Sequence, residues 1–304
     1  MRADLHVHTR YSGPSTLPGL RRVLRESYNT PEQVYRLAKA RGMDLVAITD
    51  HDAIGGALVL GDRDDVIVGC EVTAGFPDEP FCVHLNVLDI TETQHEEIQR
   101  RRRDVRDLLP YLRAQGIFTS LNHVASGWNG PITGSHVTAL LPWVDALEIR
   151  NGSRLAGQNR TAASLAAAYG KVAAAGSDAH TPYAIGRTWV EAPAAATRDE
   201  FMRELRAGRA RVGGEHGGYF RLANDIVRAA AGFYSDRFRM LVQRPWCWDC
   251  HALWWCGLAA MPVVAIPLLL AVAHFVREAR FNRGLLFDLV AQPASAAVRL
   301  PEAA

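Results

Sequence analysis

Short runs of apolar residues alternate with longer helix-like stretches along the first two thirds of the chain. The apolar runs have the length and residue types of β-strands, and the stretches between them have helical patterning. The predicted strands are Asp4–Val7, Leu45–Ile48, Val66–Val68, Cys82–Leu88, Phe118–Leu121, Ala146–Ile149 and Val172–Ala174, and the predicted helices are Thr30–Arg41, Glu96–Gln115, Gln158–Tyr169 and Glu200–Gly208. This alternation predicts a parallel sheet, and about seven repeats predict an α/β barrel.

Residues with strong preferences for helix ends mark where these helices begin and stop. Thr30 is a favourable N-cap residue and Pro31 suits the first helical position, so a helix is predicted to begin there. Gly42, Gly116 and Gly170 each lie just before a predicted strand. A glycine at that place commonly ends a helix, which supports the strand–helix order.

The last third of the chain contains a long apolar segment. Residues 253–276 form a run of 24 residues without a formal charge, which is long enough to cross a hydrocarbon core of roughly 30 Å. Trp254 and Trp255 lie at one end of the run, as interfacial aromatic residues do. A transmembrane helix is therefore predicted, and the alternative is a buried helix that docks on the barrel.

A glycine-rich stretch at 211–218 separates the barrel from this tail. The predicted domains are a barrel over 1–215, a linker or amphipathic juxtamembrane segment over 216–250, and a membrane helix with its tail over 251–304. Residues 224–242 mix basic and apolar side chains and could lie on a membrane surface. The chain begins in a strand without a signal-peptide pattern, so we expect a cytoplasmic catalytic domain anchored to a membrane by 253–276.

Composition narrows the class of protein. The chain has 304 residues, of which 48% are hydrophobic, enough for a barrel of roughly 200–250 residues. Its net charge of +2 gives no general sign of polyanion binding. Five cysteines without a framework spacing do not indicate a disulfide-stapled secreted protein.

Histidines and carboxylates follow the predicted strands. His6 and His8 form a His-x-His pair, and residues two apart on a strand point to the same face, so both imidazoles can bind one cation. The residues at the other strand ends are Asp50, His51, Glu71, His84, His123, Glu148, Asp178 and His180. Because the active sites of such barrels lie at the C-terminal ends of the strands, we expect these groups to converge.

This set of side chains predicts a centre of more than one metal. Imidazole and carboxylate ligands without thiolate suit Zn, Mn or Fe. Seven of these groups are counted as ligands, namely His6, His8, Glu71, His84, His123, Asp178 and His180. Seven ligands are too many for one four-coordinate ion, whereas two metals bridged by a carboxylate could use them. Such a centre generates hydroxide at neutral pH, which fits phosphoester hydrolysis best and amide hydrolysis next.

Five motifs, in order along the chain, resemble the PHP (polymerase and histidinol phosphatase) family. They are Asp4-Leu-His6-Val-His8-Thr9, Ile48-Thr49-Asp50-His51-Asp52, Gly69-Cys70-Glu71, Asn122-His123 and Gly176-Ser177-Asp178-Ala179-His180. The resemblance covers about residues 1–215, and the segment from Asn151 to Arg187 is similar to the PHP-associated part of many members. It implies a distorted (β/α)7 TIM-like barrel that holds two or three divalent metals, here followed by a hydrophobic helical tail.

The resemblance also implies which residues bind each metal. His6, His8, Glu71 and Asp178 would bind the first metal, and Glu71, His84 and His123 the second, with Glu71 bridging. His51 and His180 would bind a third. The chain departs from the pattern after His8, because Ser12-Gly13-Pro14-Ser15 stands where many members carry a His or Asp ligand. The third site is therefore either weak, completed by water or empty, and His51 and His180 could then act on the substrate directly.

From these ligands we expect a phosphoesterase in which a metal-bridging hydroxide attacks phosphorus. Arg187 is the expected cation for the phosphoryl oxygens, with Arg150 behind it, and Asp178 or His180 is expected to protonate the leaving oxygen. Asp4 and Asp50 are expected to orient histidines. Asn151 is read either as a substrate contact or as a turn residue.

The substrate class stays broad at this point. A small phosphate monoester, a nucleotide or a nucleic-acid end would each suit the predicted chemistry, and no protein partner is inferred. The alternative function is a non-catalytic or regulatory metal-binding PHP module at a membrane. Retention of all seven ligand types favours catalysis, since a degenerate module should have lost several.

Overall fold

The computed structural model describes residues 1–15, 24–61, 63–260 and 265–291, and shows a mixed α/β fold with one nine-stranded sheet. The strands are β1 (Arg2–Asp4), β2 (Leu45–Ile48), β3 (Val66–Gly75), β4 (Cys82–Leu88), β5 (Phe118–Leu121), β6 (Ala146–Asn151), β7 (Val172–Gly176), β8 (Thr188–Glu191) and β9 (Arg211–Gly214). Their order is β7-β6-β5-β4-β3-β2-β1-β8-β9. Each of the seven predicted strands is present, and the bounds of β2, β4 and β5 are as predicted.

Helices connect and cover the strands. They are α1 (Pro31–Ala40), α2 (Gly55–Leu58), α3 (Glu92–Arg101), α4 (Val105–Ala114), α5 (Gly134–Leu140), α6 (Ala156–Ala168), α7 (Arg198–Arg206), α8 (Tyr219–Gln243), α9 (Trp248–Ala260) and α10 (Ala265–Ala291). The Thr30 side chain caps α1 by accepting a hydrogen bond from the Gln33 amide. The single helix predicted over Glu96–Gln115 is instead two, because Asp104 has extended backbone and caps α4.

The sheet is nearly closed into a barrel by contacts between the segments that follow β1 and β7. The Asp178 amide donates to the His6 carbonyl at 2.8 Å, and the His8 amide donates to the Ala179 carbonyl at 3.1 Å. A Cβ on Gly176 would lie 2.2 Å from the His6 Cβ, so only glycine permits this approach. The closure brings His6, His8 and Asp178 to the same rim of the barrel.

The sheet is mixed, whereas the strand–helix alternation predicted a parallel one. β4 runs antiparallel to both β3 and β5, and the other pairings within β1–β7 are parallel. The reason lies in the 76–81 connection, which is too short for the crossover that a parallel neighbour needs. His84 therefore reaches the metal-ligand rim from the beginning of its strand and not from the end.

The predicted membrane-spanning helix over 253–276 is wrong. Within the described residues, no helix is both long enough and apolar enough to cross a bilayer. The segment is divided between α9 and α10, and residues 261–264 between them lie outside the described part. α9 has 13 residues, about 20 Å of helix, and the second half of α10 carries Arg277, Glu278 and Arg280. The expectation that residues 253–276 anchor the catalytic domain to a membrane is therefore wrong as well.

α8 and α10 pack on the barrel instead. Leu285 of α10 is buried in the largest hydrophobic cluster, and Phe281 and Leu289 pack against that cluster. α8, which occupies most of the predicted linker, donates a hydrogen bond from the buried Arg221 to the Ser177 carbonyl at 3.3 Å. The docked-helix alternative thus describes α10.

Phe201 offers a test of the core that supports the barrel. Its side chain, on α7, is fully buried in a cluster with Leu5 and Phe118. We expect Phe201→Ala to lower the free energy of unfolding by about 3–5 kcal/mol, because it removes apolar burial and leaves a cavity. The control is Phe220→Ala, whose side chain is 85% exposed and which should cost less than about 0.5 kcal/mol. Equal effects in urea denaturation would contradict the assigned packing.

Candidate metal centre

The carboxylate of Glu71 lies at the centre of the converging side chains. It projects from the middle of β3 and is 1% exposed. Its Oε2 lies 3.1 Å from His6 Nε2, 3.3 Å from His8 Nε2 and 3.2 Å from His51 Nδ1. These three contacts are all made by one oxygen of the carboxylate. The other oxygen faces a different group of ligands, as in a bridging carboxylate.

The second oxygen of Glu71 faces the ligands of β4 and β5. Glu71 Oε1 lies 3.4 Å from His84 Nδ1 and 3.1 Å from His123 Nε2, and it accepts a hydrogen bond from Asn122 Nδ2 at 3.0 Å. In the register between β3 and β4, His84 pairs with Thr73, so its imidazole reaches this oxygen from the neighbouring strand.

Asp178 supplies the other carboxylate of the centre. Asp178 Oδ1 lies 3.4 Å from His8 Nε2, 3.7 Å from His6 Nε2 and 3.5 Å from His180 Nδ1. Its Oδ2 lies 3.3 Å from a guanidinium nitrogen of Arg154, a residue that sequence reasoning missed. The four residues expected to bind the first metal are thus brought together.

A third group of ligand atoms lies nearer the surface. The ring nitrogens of His8, His51 and His180 come within 4.8 Å of one another. Ser12 supplies no carboxylate here, since its side chain is a neutral hydroxyl, which donates to Asp50 Oδ1 at 2.7 Å. Instead, Glu26 Oε1 lies 3.5 Å from His180 Nε2. Glu26 belongs to the loop before α1 and to none of the recognised motifs, so nothing in the sequence marked it.

Glu148 and Asn151 hold the ligands in place from β6. Glu148 Oε1 lies 2.8 Å from His6 Nδ1, and Glu148 Oε2 accepts hydrogen bonds from the His123 amide at 3.1 Å and from Asn151 Nδ2 at 2.8 Å. Asn151 Nδ2 also donates to Asp178 Oδ2 at 3.2 Å. Such partners fix the ring orientation of a histidine ligand and raise its basicity.

Two ligands have a backbone conformation that side chains seldom adopt. His123 has φ +27° and Asp178 has φ +51°. Strained backbone of this kind persists where surrounding contacts determine it, and it gathers at functional sites. Each lies two residues beyond the end of a strand, His123 after β5 and Asp178 after β7. The backbone amide of each is held by a hydrogen bond, that of His123 to Glu148 and that of Asp178 to the His6 carbonyl.

The buried ring nitrogens fit a metal. His6 Nε2 and His8 Nε2 have no hydrogen-bond partner in the described part of the chain, although both face carboxylate oxygens at 3.1–3.7 Å. Buried polar atoms normally have partners. A cation between the imidazoles and the carboxylates would satisfy these atoms, and the donor set of nitrogen and oxygen suits Zn, Mn or Fe.

The imidazoles and carboxylates of the cluster shift one another's pKa values. Burial alone would lower the pKa of His8 and His84, but the neighbouring carboxylates, Asp178 and Glu71 for His8 and Glu71 for His84, raise it to about 9 and about 10. Burial alone would raise the pKa of Glu71 and Asp178, but the surrounding histidines, with His6 foremost, hold each pKa well below its usual value. The two carboxylates are thus kept ionised and ready to bind a cation.

The remaining residues predicted for the site lie in different places. The Asp4 carboxylate accepts hydrogen bonds from the backbone amides of Ser177 and Gly186. The Asp50 carboxylate accepts one from the backbone amide of Thr9. Arg187 lies outside the cluster, where its guanidinium pairs with Glu215 at 3.0 Å.

Arg150, the reserve candidate for the cation, also has a structural contact, because it donates to the Gly214 carbonyl. The guanidinium beside the ligands is that of Arg154, three residues beyond Asn151 in the loop after β6. Its position just after the end of a strand was the one feature of the sequence that could have identified Arg154 as a site residue.

The raised pKa values of His8 and His84 predict proton release on metal binding. Both rings are protonated at pH 7 in the metal-free protein, and a metal binds only the neutral ring. Affinity for Mn²⁺ should therefore rise with pH up to the pKa values of about 9 and about 10 and level off above them. Calorimetry in buffers of different ionisation enthalpy should show more protons released at pH 7 than at pH 10.

The control for this titration is His251→Gln. His251 lies in α9, and its Nε2 contacts the Pro245 carbonyl outside the ligand set. This variant should release the same number of protons as the unaltered protein. An affinity that does not change between pH 7 and pH 10 would contradict the assigned charges.

Comparisons with known proteins identify part of the chain directly. Residues 156–210, which include α6, β7, β8 and α7, match the family model described as PHP-associated. An uncharacterized protein from Methanocaldococcus jannaschii is 35% identical over 77 residues, which are 24% of this chain. The matched region spans 44% of that relative's length.

Solved structures extend the likeness to the fold. PsfC from Pseudomonas syringae matches with a TM-score of 0.51 at 16% identity, covering 77% of this chain and 98% of that chain. A protein named as a metal-dependent phosphoesterase from Bifidobacterium adolescentis has a TM-score of 0.45 at 15% identity, covering 68% and 96%. An amidohydrolase from Chromobacterium violaceum has a TM-score of 0.49 at 18% identity, covering 70% and 97%.

At these identities the PsfC match shows a shared fold, and the family assignment rests on the sequence. The PHP-associated match covers Asp178 and His180, and the other motif residues converge with them on one rim. Residues 156–210 are therefore similar to the PHP-associated family, and the remaining motifs of the chain resemble those of PHP-domain proteins.

Proposed function

We propose that the protein is a metal-dependent phosphoesterase that hydrolyses a phosphate ester. The observation that carries this proposal is the two-sided environment of Glu71, whose Oε2 faces His6 and His8 while its Oε1 faces His84 and His123. A carboxylate shared in this way would suit two divalent ions, one on each side. A pair of such ions, when bound, supplies a hydroxide at neutral pH and stabilises both oxygens of an in-line displacement.

The contacts support an assignment of ligands to two metals. His6, His8, Glu71 and Asp178 would hold one metal, and Glu71, His84 and His123 would hold the other. His51 and His180 lie at the mouth of the site, where 12% and 29% of their side chains are exposed. They would either hold a third metal together with Glu26 or contact the substrate directly.

Arg154 is the cation that we propose for the phosphoryl oxygens. Its side chain is 14% exposed beside Asp178, and its Nε is buried without a hydrogen-bond partner in the described part of the chain. A guanidinium with an unused donor at the ligand rim can bind a phosphate oxygen and stabilise charge that develops on it. Arg187, the cation predicted from sequence, is already paired with Glu215.

His180 is our candidate for the acid that protonates the leaving oxygen. Asp178 is less suited to this role, because the surrounding positive charges keep it ionised. Burial and the neighbouring His8 lower the pKa of His180, so only a minor fraction of the ring is protonated at neutral pH, but that fraction is a stronger acid than an ordinary imidazolium. Its position at the mouth lets it reach an oxygen that leaves toward solvent.

The substitution Glu71→Gln tests the shared carboxylate. It removes the charge that both metal positions use, so we expect bound metal to fall and turnover with Mn²⁺ to drop to background. The screen should include phosphomonoesters, phosphodiesters and short oligonucleotides, with metal content measured by elemental analysis. Glu96→Gln, on the exposed side of α3, is the matched control and should change neither quantity.

Two outcomes of that experiment would overturn the proposal. Full activity and full metal content in Glu71→Gln would refute the two-metal assignment. Tight metal binding by the unaltered protein without hydrolysis of any ester would instead favour a non-catalytic metal-binding module.

Arg154→Ala and Arg187→Ala form a second matched pair. If Arg154 stabilises charge on the phosphoryl group, its removal should lower kcat/KM about 100-fold, as loss of one such donor typically does. Arg187→Ala should leave kcat/KM within about threefold, because an exposed ion pair contributes little. The opposite ranking in steady-state assays would restore Arg187 as the phosphate-binding cation.

A further inference from the structure

A buried carboxylate in the C-terminal tail contacts the loop that follows β5. Glu278 lies in α10, is 1% exposed, and accepts three hydrogen bonds at one oxygen. Its Oε2 receives them from Ser126 Oγ at 2.9 Å, from the Gly127 amide at 3.1 Å and from Gln158 Nε2 at 2.8 Å. A charged acceptor with three donors makes strong, directional contacts, so the helix is tied specifically to this loop.

The loop held by Glu278 begins at the metal ligand His123. The Ser126 amide donates to the His123 carbonyl at 2.9 Å, so Ser126 belongs to the turn that His123 starts. Gln158, a second partner of Glu278, also donates to the Ala125 carbonyl at 2.9 Å. Glu278 is therefore one hydrogen-bonded residue away from a ligand whose own φ of +27° is unfavourable.

One face of α10 makes further contacts with the same loop. The Arg277 guanidinium lies 5.3 Å from the centroid of the Trp128 ring, and the His274 ring lies 5.7 Å from it. A Cβ on Gly127 would lie 3.1 Å from Glu278 Oε1 and 3.4 Å from Phe281. The contacting positions 274, 277, 278 and 281 have the spacing of residues on one face of a helix. One face of α10 therefore packs against this loop.

We propose that Glu278 is a positioning residue for the second metal, acting through the Ser126 turn on the His123 imidazole. The C-terminal helix is then a functional part of the metal centre. The inference rests on the metal ligands of the proposed function but not on its phosphoester chemistry. It assigns a role to the one end of the chain that the PHP resemblance does not cover.

The physical basis is the cost of holding His123 in place. A strained backbone relaxes when the contacts that determine it are removed, and a ligand displaced by a fraction of an ångström binds a metal more weakly. The ligands of the first metal, His6, His8, Glu71 and Asp178, come from the segment after β1, from β3 and from the segment after β7. Glu278 contacts none of these elements through a hydrogen bond in the described residues. Loss of Glu278 should therefore affect one metal selectively.

The experiment is a two-step titration of the full-length, metal-stripped protein with Mn²⁺ by calorimetry. Glu278→Ala should weaken the step that loads the second metal about 10-fold, the lower end of the range for residues that support a ligand, and leave the first step within about twofold. Glu278→Gln keeps the shape and one acceptor oxygen, so it should give a smaller selective loss. Arg283→Ala is the control, because that exposed guanidinium hydrogen-bonds within its own helix.

A second variant approaches the same contact from the loop. Gly127→Ala places a methyl group against Glu278 and Phe281, which should separate helix from loop and reproduce the selective loss. If Glu278→Ala does not fold, Glu278→Gln and Gly127→Ala decide the question. Equal weakening of both steps would show a merely structural role, and unchanged steps would refute the proposal.

The readout separates this inference from the proposed function. Metal binding is measured without substrate, so a protein that loads two metals but hydrolyses no ester would refute the phosphoesterase and leave the role of Glu278 standing. Normal loading by the Glu278 variants, together with ester hydrolysis by the unaltered protein, would refute only the positioning role.

Discussion

The structure depends on a negative charge that is held away from water. The Glu71 carboxylate is 1% exposed, and burying an ionised group is costly unless opposite charges or hydrogen-bond donors compensate for it. Five imidazoles and the Asn122 amide surround it. Every strand that supplies one of these groups has to bring its side chain within about 3–4 Å of the same two oxygens, which restricts the arrangement of half the barrel.

The departures of the fold from a regular barrel serve this arrangement. Reversal of β4 allows His84 to meet Glu71 across an antiparallel pair, because the register places His84 opposite Thr73, two residues beyond Glu71. Close approach at Gly176 brings the segment after β7 against β1, so that Asp178 faces His6 and His8. The irregular connections are therefore placed where ligands converge.

Much of the fold and most of the residues that converge at the candidate site could be predicted from sequence, since strand patterning and the His-x-His pair are local signals. Features that depend on distant parts of the chain could not. Glu26 and Arg154 lie in loops, and only the folded chain shows that they contact His180 and Asp178. The membrane prediction failed for the same reason, because hydropathy alone cannot distinguish a bilayer from the flank of a barrel. The sequence did not show that Glu278, in the same helix, is buried and accepts three hydrogen bonds from other parts of the protein.

The closure of the barrel between β1 and β7 has a consequence for how the protein is made. His6 and His8 leave the ribosome about 170 residues ahead of Asp178, which is at least several seconds at the usual rates of synthesis. Contacts between residues so far apart form slowly, because the entropy of closing a long loop is lost before the contact is gained. The imidazole pair is therefore synthesised well before its carboxylate partner. The centre can form only after translation has passed β7 and Asp178.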